Sequence, residues 1–122
     1  MYLKAIVIEE FGGPEKLHEQ SVPEPKIDAN QILIKLYATS VNPVDTKIRE
    51  GAIGAAAGEF PLILGGDVAG IVKEVGDNVS RFKLRDPVFA RPRVFGTYAQ
   101  YVAGDADVVV TKPDNLSYEE AA

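Results

Sequence analysis

Apolar and polar positions alternate with period two over Gln31 to Thr39: Ile32, Ile34, Leu36 and Ala38 fall on one face, Lys35 and Tyr37 on the other. That spacing predicts a half-buried strand. Leu3 to Ile8 is a run rich in β-branched residues, ended by Gly12-Gly13-Pro14. Leu17 to Val22 is placed to pair back onto it and is closed by Pro23-Glu24-Pro25. Asp67 to Val75 reads as a strand interrupted by Gly70, which predicts a bulge or a sharp bend. Short strands are expected at Pro87–Ala90, Thr97–Val102 and Asp107–Thr111. Many short strands split by Gly and Pro turns favour a small barrel over a sandwich. The fold class expected is therefore mainly β with short helices.

Two segments break the period of two. In Val41-Asn42-Pro43-Val44-Asp45, Asn42 suits a helix N-cap, Pro43 the first helical position and Asp45 the positive end of the helix, with Gly51 at the exit. In Pro113 to Ala122, Ser117 and Glu120 have the spacing of a capping box. Gly51 to Glu59, GAIGAAAGE, offers little side chain to pack and reads as a mobile loop.

At 122 residues, 46% hydrophobic and 25% charged, the chain has the length and composition of one globular domain. The net charge of −5 is well mixed along the chain, which argues against a nucleic-acid partner, since phosphate binding needs clustered Lys and Arg. No apolar run approaches the roughly 20 residues of a membrane span, and the N-terminal stretch is too short for a secretory signal. The absence of cysteine excludes disulfides, thiolate zinc sites and a Cys nucleophile. A cytoplasmic domain without a membrane partner is expected.

The chemistry legible from residue types alone is sparse. His18 is the single histidine, with no second His or Cys to share a metal, and transition-metal sites need three or four convergent ligands. No Gly-x-Ser-x-Gly elbow, Gly-x-Gly-x-x-Gly fingerprint or Walker A sequence is present. One cluster stands out: Ser40 to Gly51 puts Asn42, Asp45, Thr46, Lys47 and Arg49 around a helix N-terminus. Such a cluster is either a capped and solvated helix end or a set of polar groups presented at a cleft.

The order of segments adds a resemblance. MYLKAIVIEEFGGPEKL, VPEPKIDANQILIKLYATSVNPVDTKIREG, FPLILGGDVAGIVKEVGDNVSRFK, GTYAQYV and KPDNLSYEEAA together resemble the N-terminal catalytic domain of the medium-chain dehydrogenase/reductase superfamily. The similarity is greatest to its zinc-free, quinone oxidoreductase-like branch. It implies a GroES-like, partly open β-barrel over residues 1–122. In that family a Rossmann domain binding NADP or NAD follows, and it is absent from this chain. The helix capped by Ser117 then looks like the start of the passage into that missing half. The chain is accordingly expected to be an isolated or truncated domain, inactive alone, with an apolar patch exposed on one side and a tendency to form a homodimer.

Zinc-dependent relatives place a Cys where Asn42 stands and Gly-His-Glu where Gly65-Gly66-Asp67 stands, so the resemblance implies no metal. Without a Lewis acid, reducing a double bond already activated by a carbonyl is easier than dehydrogenating an alcohol. The activity implied is NAD(P)H-dependent reduction of quinones or α,β-unsaturated carbonyls, with a small-molecule carbonyl or quinone as partner. Asn42 and Lys47 match the catalytic cleft, and Asn42, Pro43 and Val44 the nicotinamide contact. Lys47 stands where quinone reductases often carry Tyr, which favours an anionic or polar substrate. Val44 replaces the hydroxyl of a proton relay. Asp67 reads as a structural acceptor for backbone N–H groups, and Tyr98 and Tyr101 as packing residues. Lys83-Leu84-Arg85-Asp86-Pro87-Val88 departs from the family's Val-Gly-Asp-x-Val, so the turn at Arg85 either avoids positive φ or is strained. A stand-alone GroES-like binding or assembly module is the alternative function, although GAIGAAAGE lacks an apolar docking triplet.

Overall fold

The computed structural model describes residues 1–122. Two antiparallel sheets carry the fold. In the first, β1 (Tyr2–Ile8) lies between β2 (His18–Pro23) and the two-residue β4 (Leu62–Ile63). The second has the order β7-β3-β5-β6-β8, with β3 (Gln31–Thr39), β5 (Val68–Val75), β6 (Pro87–Ala90), β7 (Tyr101–Asp105) and β8 (Val109–Thr111). Two short helices complete it, α1 (Pro43–Arg49) and α2 (Tyr118–Ala121).

The alternation in β3 is what builds the main core. Ile32 and Ile34 are fully buried and meet Val68, Val72, Phe82, Val88, Val102 and Val109 from the other strands. Fully burying each such side chain is worth about 1.5–3 kcal/mol. Leu33 is also buried, so β3 is covered on both faces over its first half. A second cluster, Leu3, Ala5, Val7 and Val22, joins β1 to β2. The third, Ile8, Ile48, Leu62 and Leu64, fixes α1 through Ile48 against β1 and β4.

Gly70 meets the expectation of an irregularity. It pairs with Leu36, and the next partners are Ala38 and Ala69, leaving Tyr37 as the extra residue of a bulge on β3. A Cβ on Gly70 would lie 1.9 Å from the Lys35 carbonyl oxygen, so only glycine permits this approach. Arg85 adopts φ 75°, the strained alternative for that turn.

Three expectations are revised. Thr97–Gln100 is not part of a strand; β7 begins at Tyr101. The segment instead divides its hydrogen bonds between the sheets: Ile6 N–H donates to Tyr98 O at 2.8 Å, Gln100 N–H to Lys4 O at 3.1 Å, and Leu36 N–H to Gln100 O at 2.9 Å. It laces the sheets into a partly open barrel. Residues 106–108 form a 3-10 turn before β8, rather than strand. The Ala-rich segment after Gly51 also contains a 3-10 turn, Gly54–Ala57, and Ala57 packs on the third cluster. No helix is long and apolar enough to cross a membrane.

Candidate functional site

The β3 strand ends at Thr39, and the chain turns through Ser40 and Val41 into α1. Asn42 occupies the N-cap with extended backbone angles, φ −118° and ψ 157°, and Pro43 follows at the first helical position. Asn42 and Asp45 form a capping box, in which Asn42 N–H donates to Asp45 Oδ2 at 2.9 Å. The Asn42 side-chain amide is also held: its Nδ2 donates to Asp67 Oδ2 at 2.7 Å. An amide nitrogen carries two hydrogens, so one remains for a ligand.

Asp67 is a structural acceptor, but its partners differ from the backbone N–H groups expected. Its Oδ2 takes the Asn42 amide and the Ser40 hydroxyl, the latter at 3.2 Å. Its main-chain carbonyl accepts from Thr39 Oγ1 at 2.6 Å, and Thr39 Oγ1 lies 2.9 Å from Oγ1 of the fully buried Thr97. Backbone and side chain of Asp67 are thus both tied to the segment that leads into α1.

Asp45 is 3% exposed. Its Oδ2 accepts a second hydrogen bond, from Tyr98 Oη at 2.9 Å, while its buried Oδ1 has no partner. Burial, and then the hydrogen bond to Asp45, hold the Tyr98 phenol well above the ordinary tyrosine range. Tyr98 therefore packs, as expected, on the third cluster, and it also reaches the helix cap. Sequence reasoning missed this second role. The sole hint was a Tyr at the end of GTY, and Asp45 is 53 residues away. Tyr101 lies under Lys73, whose Nζ is 5.0 Å from the ring centroid.

Of the four site residues expected, Asn42 is half-buried and enters the polar network, whereas Pro43, Val44 and Lys47 stand exposed on α1. Lys47 takes part in no ion pair. A groove of about 630 Å³ runs beside the site between β1 and β3, lined by Ile6, Leu36, Ala38, Val41, Tyr98 and other residues. Another groove of similar volume, lined by polar loop residues such as Asp28, Asn78 and Arg81, shares no residue with it. No three His, Cys, Asp or Glu side chains converge. His18 lies on β2, with Nδ1 3.2 Å from the Lys16 carbonyl oxygen. Gly66 is buried, yet a Cβ added there would meet nothing within 4 Å.

Residues 28–114 match the family described as alcohol dehydrogenase GroES-like domain. The quinone oxidoreductase of Mus musculus is 43% identical over 123 residues, covering 98% of this chain and 36% of that protein. The NADPH-dependent alkenal/one oxidoreductase, chloroplastic, of Arabidopsis thaliana is 36% identical, covering 98% of this chain and 33% of its own length. Among solved structures, the quinone oxidoreductase from Coxiella burnetii aligns with TM-score 0.95 and 34% identity, over 100% of this chain and 40% of that one. The Escherichia coli quinone oxidoreductase complexed with NADPH aligns with TM-score 0.85 and 32% identity, over 97% and 36% of the two chains. The chain spans about a third of the length of the curated relatives it matches.

Proposed function

The chain belongs to the family of alcohol dehydrogenase GroES-like domains, and from that membership we propose that residues 1–122 form the substrate-side domain of an NAD(P)H-dependent reductase of quinones or α,β-unsaturated carbonyls. The similarity to quinone oxidoreductases and to an alkenal/one oxidoreductase supports this reading. The nucleotide would be held mainly by a Rossmann domain beyond these residues, with Asn42, Pro43 and Val44 facing it. When bound, the nicotinamide supplies the hydride.

What this chain contributes is a fixed donor. Asp67 holds one hydrogen of the Asn42 amide at 2.7 Å, and the capping box holds the main chain behind it. The other amide hydrogen is then oriented toward a substrate carbonyl, whose oxygen gains charge as the conjugated double bond is reduced. A donor fixed in advance stabilises that charge without reorganising during the reaction. Exposed Lys47, on the same helix, would favour substrates bearing an anionic or strongly polar group. No metal is assigned: an amide stands at 42, Gly66 has no side chain, and the one histidine is committed elsewhere on β2.

Asn42, oriented by Asp67, is the observation that carries the reading. The test is NADPH oxidation with a quinone or enone by this domain joined to its nucleotide-binding partner domain. Activity is expected in the joined protein and not in residues 1–122 alone. Asn42→Ala should lower kcat roughly hundredfold to thousandfold, as removal of one fixed donor does. Full activity in the alanine variant, or hydride transfer by the isolated chain, overturns the assignment. We also infer a homodimer, supported by the apolar groove. A purely monomeric species in sedimentation equilibrium would rule out the dimer.

A further inference from the structure

A nearly inaccessible carboxylate with one oxygen unbonded is unstable unless its other oxygen is firmly held. Asp45 is in that state: Oδ1 has no partner, and Oδ2 depends on Asn42 N–H and Tyr98 O–H. The two donors differ in origin. Asn42 N–H belongs to the helix cap, and moves with it. The Tyr98 phenol comes from the segment lacing the two sheets, whose main-chain bonds go to Ile6 and Leu64 and not to α1, although its ring shares the third cluster with Ile48.

That anchoring is tight. Tyr98 N–H donates to Leu64 O at 3.0 Å, and its carbonyl accepts from Ile6 N–H at 2.8 Å. Its ring lies against the backbone of Gly65, where a Cβ would approach Cδ1 to 2.6 Å; Gly65 also has φ 101°, which favours glycine. The phenol oxygen therefore occupies a place set by β1 and the Leu64-Gly65 segment. It draws Asp45 Oδ2 to that place, and Asp45 brings the Asn42 main chain with it. The Asn42 amide then falls within 2.7 Å of Asp67.

We propose that Tyr98 and Asp45 are positioning residues for Asn42, transferring the fixed geometry of the sheet link at 97–100 to the amide at the N-terminus of α1. This rests on the reading of Asn42 as the donor to the substrate carbonyl, but the coupling itself is a property of this chain. In this scheme the Tyr98 phenol is turned to Asp45, while its ring lines the groove between β1 and β3. Tyr98 acts through Asp45, and Asp45 acts through the Asn42 main chain. With the phenol gone, a buried carboxylate keeps one donor, and the first turn of α1 relaxes to find it another.

The test is the NMR spectrum of the 122-residue chain and of Tyr98→Phe, which removes the O–H and keeps the ring. The side-chain amides of Asn30, Asn42, Asn78 and Asn115 report three separate places, Asn30 and Asn78 sharing one. The largest shift and faster exchange are expected at Asn42, with Asn30 and Asn78, bonded to each other at 3.1 Å, unchanged. An unmoved Asn42 amide in folded Tyr98→Phe overturns the proposal. If that variant does not fold, Asp45→Asn carries the same test, keeping an acceptor while removing the charge. It should move the Asn42 amide; an unmoved Asn42 amide in folded Asp45→Asn overturns the proposal. In the joined reductase, Tyr98→Phe should lower kcat more than it alters KM. If the joined wild-type protein reduces no quinone or enone, the functional reading fails while the NMR result still decides the coupling.

Discussion

Arg85 holds φ 75° in an exposed turn, a conformation that costs an L residue with a Cβ roughly 1–2 kcal/mol. The turn persists because its neighbours determine it. Arg85 N–H donates to Val72 O at 2.8 Å, Val72 N–H donates to Asp86 O at 3.0 Å, and Asp86 Oδ2 accepts from Lys83 N–H at 3.0 Å. The Arg85 side chain makes no hydrogen bond or ion pair that offsets the strain. Replacing it with glycine removes the Cβ clash but adds freedom to the unfolded chain, an opposing term of about 0.4–1 kcal/mol. Arg85→Gly is therefore expected to stabilise the domain by up to about 1 kcal/mol, read as a higher urea midpoint at unchanged m. A lower midpoint would mean that the turn is not strained. The sequence flagged this position only as a departure from the family's Gly and left positive φ and its avoidance both open; the structure has φ 75°. Asp67 was less legible. Its type announced an acceptor, but its partners, Ser40 and Asn42, became visible only once β3 and β5 were paired.

Strands with an unbroken run of pairing were the easiest elements to read. The limits of β1, β2, β3, β5 and β6 follow their alternation or their Gly and Pro boundaries to within a residue or two. Elements with divided or minimal pairing were harder. Thr97–Gln100 has strand composition, but its hydrogen bonds go to two different sheets, a division that local pattern does not encode. A two-residue strand such as β4 has no period to detect. Helix caps were legible because their chemistry is local. In α2, Ser117 Oγ accepts from Glu120 N–H at 3.0 Å, and Glu120 Oε1 accepts from Ser117 N–H at 2.9 Å. The Ser117 N–H and hydroxyl hold the Glu120 carboxyl below its ordinary value of 4.5. A carboxyl depressed on folding supports its element above the ordinary value, and that support is lost as pH falls through the depressed one. The protection factors of α2 amides, taken relative to the unstructured rate at each pH, should accordingly fall in acid below about pH 4.5, and Ser117→Ala should show the lower protection already at neutral pH. Protection in α2 that is indifferent to both changes would show that packing of Tyr118 against Tyr37, with ring centroids 4.7 Å apart, holds the helix without the cap.

The molecule as a whole depends on how its two sheets are joined. Their cores are distinct: Leu3, Ala5, Val7 and Val22 form one cluster, and the larger group around Ile34 and Val72 another. Sheets with separate cores could open separately, since cooperativity follows shared burial and hydrogen bonding. The link at 97–100 opposes this. Ile6 and Lys4 on one side and Leu36 on the other bond the same four-residue segment, and the Gln100 side chain adds an acceptor for Lys4 N–H at 2.8 Å. Opening either sheet alone would break bonds on that segment and loosen its grip on the other. The amides of Ile6, Gln100 and Leu36 should then exchange with one common opening free energy, equal to that of Ile34 in the main core. Gln100→Ala, which removes one bond from the link, should lower that common value by about 1 kcal/mol. Ile6 exchanging well before Leu36 in the unaltered chain would mean that the three-stranded sheet opens by itself. Tyr98 would then rest on a movable element, and its hold on Asp45 and the Asn42 amide would fluctuate with that sheet.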